Sequence, residues 1–428
     1  MRILRMDDPL FSPWLEEVRA RGESNEAQVE DAVRETLREV RSKGNEALLE
    51  YTRRWDGFDI SSPEDLIISK GEMEVAYFAL PAQLQDALQE AYRRIKTFHE
   101  VQREQSWFLY EPEGTILGQK VTPLDRVGAY VPGGRASYPS SLLMNVIPAK
   151  VAGVKEVVVC SPTPQGKVNR ALLGAAYLTE VDGIYRVGGA QAVAAMAYGT
   201  SLIPSVDKIV GPGNVYVATA KRLVFGVVDI DMVAGPSEIL ILAEDRASPR
   251  YVAADLLSQA EHDVLASAIL VTPSHLLAQE VAKEVEVLLE DLPTALTVRR
   301  SLDRYGGLVL CSSLEEGVEL VNQIAPEHLE ILTRDPWRVL PLIRHAGAIF
   351  LGPYSPEPMG DYIVGPNHVL PTGGRARFSS PLGTKDFLKY SSIISLSRET
   401  FAALKSQAIT LAQWEDLPAH ARALEVRK

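Results

Sequence analysis

Apolar positions recur along this chain with two different periods, and the change of period divides it. Roughly the first hundred residues read as helical. Val29, Val33, Leu37 and Val40 form one stripe that Gly44 can stop, and Leu84, Leu88, Tyr92, Ile95 and His99 form another. His99 on the second stripe reads as a packed helix residue. From about Val127 short β-branched runs alternate with Ala- and Leu-rich stretches. The runs predict strands at Val127–Val131, Val154–Cys160, Gly183–Val187, Lys208–Val210, Ile239–Ala243, Ala268–Val271, Leu308–Cys311 and Ala348–Leu351. Helices are predicted between them at Ala171–Val181, Val215–Phe225, Arg250–Gln259, Leu277–Leu289 and Leu314–Ile324. This alternation argues for parallel sheets covered by helices. The strands outnumber what one compact sheet requires, so the chain splits near Gly235-Pro236 into two α/β units of similar size. Their symmetry lies in the order of elements and not in a sequence repeat. A strand-poor stretch rich in Gly and Pro, Gly352–Gly383, precedes a helical tail to Lys428.

Composition narrows the function. At 428 residues the chain buries a large core in two or more domains. Lys and Arg number 44 against 56 Asp and Glu, a net charge of −12, which argues against a nucleic-acid or anionic-membrane surface. A local basic pocket for an anionic cofactor is still compatible with that balance. Cys160 and Cys311 make no disulfide framework and no Cys-x-x-Cys, so a metal here needs oxygen and nitrogen ligands. The N-terminus lacks the apolar core of a signal peptide, and no uncharged apolar run approaches a membrane span. A cytoplasmic protein is expected.

Several polar clusters interrupt this pattern. Gln259 and His262 in Ser258-Gln259-Ala260-Glu261-His262 are three residues apart, so on a helix they share a face. They offer an amide oxygen and an imidazole nitrogen to a divalent metal, or equally a hydrogen-bonded helix end. Glu327 and His328 follow Pro326, which ends a helix, and supply two proton carriers or a surface Glu beside a bonded His. Neighbours on an extended chain point opposite ways, so joint action needs a turn there. Asp361 in Met359-Gly360-Asp361-Tyr362 can ligate a cation, and the Gly and Pro around it suggest a fixed binding loop. Ser237, after the Gly235-Pro236 turn, sits at the junction of the two units, where ligands commonly bind and where a hinge is equally natural. Glu415 and His420 lie in the tail, with no role that their surroundings alone assign. His275 and His345 have no supporting neighbours.

Three glycine-bearing turns, Val131-Pro132-Gly133-Gly134-Arg135, Val187-Gly188-Gly189-Ala190-Gln191 and Val210-Gly211-Pro212-Gly213-Asn214, fall in the first unit. Each suits either a tight βα turn or a phosphate cradled by backbone N–H groups. None spells the dinucleotide fingerprint, since Tyr216 occupies the position of the third glycine.

Taken together, these strings resemble the histidinol dehydrogenase family. The resemblance runs nearly the whole chain and is densest in Ile230–Glu238, Ser258–Asp263, Pro326–His328 and Gly360–Arg377. It implies an α/β fold of two Rossmann-like parallel-sheet units without the usual glycine fingerprint, a helical N-terminal region and a C-terminal tail, in an interlocked homodimer. The implied domains are an N-terminal extension 1–23, a main domain of 24–129 with 236–382, an NAD-binding domain 130–235, and a dimerisation tail 383–428. One Zn²⁺ per subunit is implied on Gln259, His262 and Asp361, with His420 of the partner subunit. Substrate contacts are implied at Ser237, Gln259, His262, His328, Asp361, Glu415 and His420. Glu327 and His328 match the acid/base pair, and Tyr130, Gln191 and Asn214 the residues that hold NAD. The implied reaction oxidises L-histidinol through L-histidinal to L-histidine with two NAD⁺, the final step of histidine biosynthesis. Other readings are a metal-dependent hydrolase with Glu327 activating water, a two-lobed small-molecule binder, and a relative oxidising another amino or sulfonated alcohol.

Overall fold

The structure, a computed structural model, describes residues 1–21, 26–133 and 138–427. Gly134 and Arg135 of the first glycine-bearing turn lie outside them. Each strand that the apolar runs predict is present, and the split near Gly235 separates two six-stranded sheets.

In the first sheet the strands run in the order Ile67–Ile68, Gly183–Tyr185, Glu156–Cys160, Arg126–Tyr130, Lys208–Val210, Asp229–Ile230. All are parallel except the two-residue edge strand Ile67–Ile68. The Val-rich runs are continuous because both faces are covered. On one face Val29, Val33, Leu37 and Val40 of helix Glu26–Lys43 pack with Val193 and Val217. On the other, Leu88 and Ile95 of helix Ala82–Val101 pack with Leu142 and Ile147 of helix Pro139–Ala152. His99 is fully buried there, as its place on the stripe requires.

The second sheet is parallel throughout, in the order Arg2–Arg5, Gly307–Leu310, Ser267–Thr272, Glu238–Ala243, His328–Leu332, Ala348–Leu351. Numbered along the chain within each unit, the five strands after the edge strand run 3-2-1-4-5 in both sheets. The symmetry expected from the order of elements is thus a symmetry of topology. Two strands of this sheet escape the periodicity. Arg2–Arg5 is short and charged, and His328–Leu332 carries His and Glu inside a fully buried run.

The tail is not helical from its start. Leu388–Ser395 is a strand that pairs antiparallel with Ile116–Pro123, which in turn pairs with Trp107–Tyr110. Helices Arg398–Trp414 and Pro418–Glu425 follow and pack on each other. This arm exposes Trp107, Phe108, Leu109, Tyr110, Ile394, Leu411 and Trp414, a concentration of large apolar groups unusual for a surface that faces water alone. Among the described residues no helix is long and apolar enough to cross a membrane.

Candidate active site

The two sheets present opposite ends to function. Tyr130 closes the central strand of the first sheet, Gln191 follows strand Gly183–Tyr185 and Asn214 follows strand Lys208–Val210, so all three lie at carboxyl ends. Ser237 and His328 stand instead at the amino ends of adjacent strands in the second sheet. The chain crosses from one set to the other through the segment 231–237.

Helix Leu314–Ile324 ends on Ala325, whose left-handed φ of 55° turns the chain before Pro326. Beyond it the Glu327 and His328 side chains are both buried and both reach Glu238. Glu327 Oε2 accepts from the Glu238 backbone N–H at 2.8 Å, and His328 Nδ1 lies 2.9 Å from the Glu238 carbonyl oxygen. A carbonyl oxygen only accepts, so Nδ1 carries a proton and Nε2 is the nitrogen free to take one. Both side chains therefore hang on the two backbone groups of one residue. Glu238 is held in turn by Arg21, 2.7 Å away in a buried ion pair, and by the Gly373 N–H at 2.5 Å.

Around His328 Nε2 stand carboxylates. Asp361 Oδ1 is 3.7 Å away and Glu357 Oε1 3.9 Å, both from the short helix Glu357–Tyr362, where four-residue spacing puts them on one face. His262, Glu357 and Asp361 each bring a ligand atom within 4.8 Å of the others. His262 lies just past helix Pro249–Ala260, and its N–H returns to the Gln259 carbonyl at 3.2 Å, preserving the expected shared face. Gln259 is fully buried, and both polar atoms of its amide lack a partner among the described residues. Two orphaned polar atoms in a dry site are costly, and an amide oxygen aimed at a cation removes that cost for one of them. His368 adds a ring whose Nδ1 lies 2.9 Å from the Asp361 carbonyl oxygen. A cavity of about 760 Å³ lined by His328, Asp361, His368, Phe350 and Met359 opens beside the cluster, ample for a small molecule.

The electrostatics follow from burial. It pushes the Glu327 carboxyl up to about 8, with Glu238 adding to the shift and His328 opposing it. Burial and the neighbouring Asp361 push Glu357 up to about 8 as well. Burial alone would lower His328, but Glu327, Asp361 and Glu357 outweigh it and raise the ring to about 10. Asp361 resists its own burial and stays below the carboxylate range through His328 and His368.

Not every predicted residue joins this cluster. Glu415 and His420 are exposed on the tail, outside the group that His262 forms with Glu357 and Asp361. Tyr130 and Gln191 are buried; the Tyr130 hydroxyl accepts from the Gly189 N–H at 3.2 Å, and burial pushes it up to about 12. Asn214 is exposed and caps helix Val215–Val224, its Oδ1 accepting from the N–H groups of Tyr216 and Val217. His275 is exposed and His345 partly so. Sequence reasoning missed Glu357 and Glu238. It also missed Glu330, two residues beyond His328 and hence on the same face of its strand. The signal was there in Glu357 and Asp361, four apart, but a Pro-flanked Glu looks like loop surface.

A sequence model of histidinol dehydrogenase matches residues 19–428. The chain belongs to the histidinol dehydrogenase family. The histidinol dehydrogenase of Aquifex aeolicus is 52% identical over 430 residues, covering 100% of both chains. That of Syntrophotalea carbinolica is 53% identical over 427 residues, 100% of this chain and 99% of its own. The crystal structure of histidinol dehydrogenase from Elizabethkingia anophelis superposes with a TM-score of 0.93 at 33% identity, covering 99% of this chain and 98% of that one. As a histidinol dehydrogenase the chain is an oxidoreductase of the histidine-biosynthesis step.

Behind the histidinol dehydrogenase site, burial pushes Asp255 up to about 6 and raises Glu330 well above its ordinary value, with Asp255 adding to the latter. A carboxyl whose folded pKa is raised stabilises the fold below its unfolded pKa and loses that contribution as pH rises through the folded value. Asp255→Asn should therefore raise thermal stability at pH 8, on the order of 1–3 kcal/mol, with the gain vanishing near pH 4. Melting curves across that range check it; a gain independent of pH contradicts the shift.

Proposed function

We propose that this histidinol dehydrogenase oxidises L-histidinol through L-histidinal to L-histidine with two NAD⁺ and one Zn²⁺ per subunit. The observation that carries the reading is the fully buried, partnerless amide of Gln259 one turn before His262, with Asp361 beside His262. An all-oxygen-and-nitrogen donor set of this kind suits a borderline divalent cation. Gln259, His262 and Asp361 would hold it, with His420 of the partner subunit. Zinc, when bound, supplies orientation and polarisation to the substrate's nitrogen and oxygen groups. NAD⁺ supplies the hydride acceptor, and Tyr130, Gln191 and Asn214 would hold it. The 3-2-1-4-5 strand order of the first sheet and the position of these three at its carboxyl ends support a Rossmann-like reading of that unit.

The chain's own residues divide the proton work. His328, oriented by the Glu238 carbonyl through Nδ1, takes the alcohol proton on Nε2 as the carbon loses hydride. Glu327, in its ionised form, then takes a proton from the water that attacks the aldehyde carbon. His328 acts again in the second oxidation. Ser237 and Glu415 would contact the substrate, Glu415 from the partner's tail as the arm crosses over. The exposed apolar groups of the arm and the two tail helices, in which Ala412 and Ala421 alone are buried among the described residues, support an interlocked homodimer.

Purified protein given L-histidinol and NAD⁺ should produce reduced-nicotinamide absorbance that chelation abolishes and zinc restores; no absorbance change contradicts the reading. His328→Ala should lower turnover about 10²–10⁴-fold at unchanged zinc content. As a base His328 must be neutral, so turnover should rise with pH through the ring's pKa, at lower pH once a cation offsets the Asp361 charge. A wild-type rate that falls across roughly pH 6–8 excludes that role. Subunit exchange tests the tail. A dimer of one His328→Ala and one His420→Ala chain keeps one intact site, so an exchanged equimolar mixture should recover about a quarter of wild-type turnover. No recovery after exchange would mean that the tail serves its own chain.

A further inference from the structure

Below the Gly211 turn, which follows strand Lys208–Val210 beside the central strand, Lys221 and Asp231 form an ion pair whose side chains are 2% and 1% exposed. No proton-transfer or substrate role reaches them. Removing two charges from water costs about as much as their attraction returns, so net stability is a poor reason for such a pair. What the pair does is hold one residue. Lys221 Nζ donates to the Gly211 carbonyl oxygen at 2.8 Å, and the Gly211 N–H donates to Asp231 Oδ2 at 2.8 Å. Asp231 Oδ1 accepts in addition from the Met232 N–H at 2.6 Å, tying the clamp to the start of the crossing segment.

Gly211 has φ +108°, and a Cβ there would lie 2.1 Å from the Tyr130 carbonyl oxygen. The clamp thus presses the turn flat against the last residue of the central strand, and no side chain could follow. Three residues on, Asn214 spends its Oδ1 on the cap of helix Val215–Val224, which leaves its Nδ2 as the free polar group. The Tyr130 ring reaches the other way, to Gly189. The relative position of Tyr130 and Asn214 is therefore set from beneath by two charges that touch neither side chain.

We infer that Lys221 and Asp231 are positioning residues for the dinucleotide, their buried ion pair fixing the Gly211 turn so that Tyr130 and Asn214 are spaced for the cofactor before it arrives. The inference rests on the reading that these residues hold NAD. Prior ordering of a binding turn lowers the cost of binding, so its loss should weaken the cofactor and spare the substrate.

Lys221→Met alone leaves a buried, unpaired carboxylate that by itself destabilises the fold; Lys221→Met with Asp231→Asn removes both charges, keeps an acceptor for the Gly211 N–H, and frees the carbonyl. The double variant should bind NADH, followed by its fluorescence, about ten-fold or more weakly, and its KM for NAD⁺ should rise likewise while KM for L-histidinol stays within about two-fold. Equal NADH affinity in the two proteins overturns the inference, as does an equal rise in both KM values. A second measurement uses the wild-type protein. The Gly211 amide should exchange slowly with solvent before any cofactor is added; fast exchange that slows only on NADH binding overturns it. Wild-type protein that neither binds NADH nor reduces NAD⁺ removes the cofactor reading itself, a result separable from the others.

Discussion

Buried negative charge around one imidazole is the constraint on which the rest of this structure depends. Glu327, Glu357 and Asp361 lie within 4 Å of the His328 ring, and all four residues are largely cut off from water. Carboxylates in such a place either take up protons or find a positive charge. Glu327 and Glu357 show the first response, raised to about 8, while Asp361 shows the second. A lone imidazolium cannot answer three neighbours and also serve as a base. A divalent cation held beside Asp361 and His262, as proposed, would resolve the conflict, because it would take over the balancing of charge and leave the ring free to be neutral. The buried Gln259 amide, without a partner among the described residues, would give that cation a neutral ligand that adds no further charge.

The architecture uses the same topology twice, with the candidate residues at opposite ends of the strands. The first sheet offers the carboxyl ends of its strands, where open α/β sheets usually bind ligands. The second offers amino ends, where Glu238 presents a backbone donor and acceptor to Glu327 and His328. Buried ion pairs underlie both ends: Lys221 with Asp231 beneath the glycine turn, and Arg21 with Glu238 behind the acid/base pair. Each fixes a backbone segment: the Gly211 turn in one case, and in the other Glu238, whose N–H and carbonyl hold Glu327 and His328.

Much of the framework was legible in the order of apolar runs. Strands such as Glu156–Cys160 and Glu238–Ala243 are buried on both faces, and uninterrupted β-branched residues announce that. His328–Leu332 is equally buried, yet its His and Glu disguise it as loop, since polar residues enter a core strand for function. The arm was hidden for another reason. Its strands expose their aromatic residues within this chain, so burial inside one subunit left no pattern to read. At the site, Gln259 with His262 was legible as a pair on one helical face and Asp361 as a separate candidate ligand, but their union on one cation came from family likeness, because no spacing rule connects residues a hundred positions apart. Glu357 and Glu238 stayed unnoticed, since their importance lies in what folds against them.

X-ray absorption at the zinc edge tests the central claim most directly. Purified protein should show one zinc per chain with a first shell of nitrogen and oxygen at about 2.0–2.2 Å and an imidazole signature. The Asp361→Ala protein should lose that spectrum. A sulfur shell, or an unchanged spectrum in the variant, would place the cation elsewhere and leave the buried carboxylates around His328 without their proposed partner.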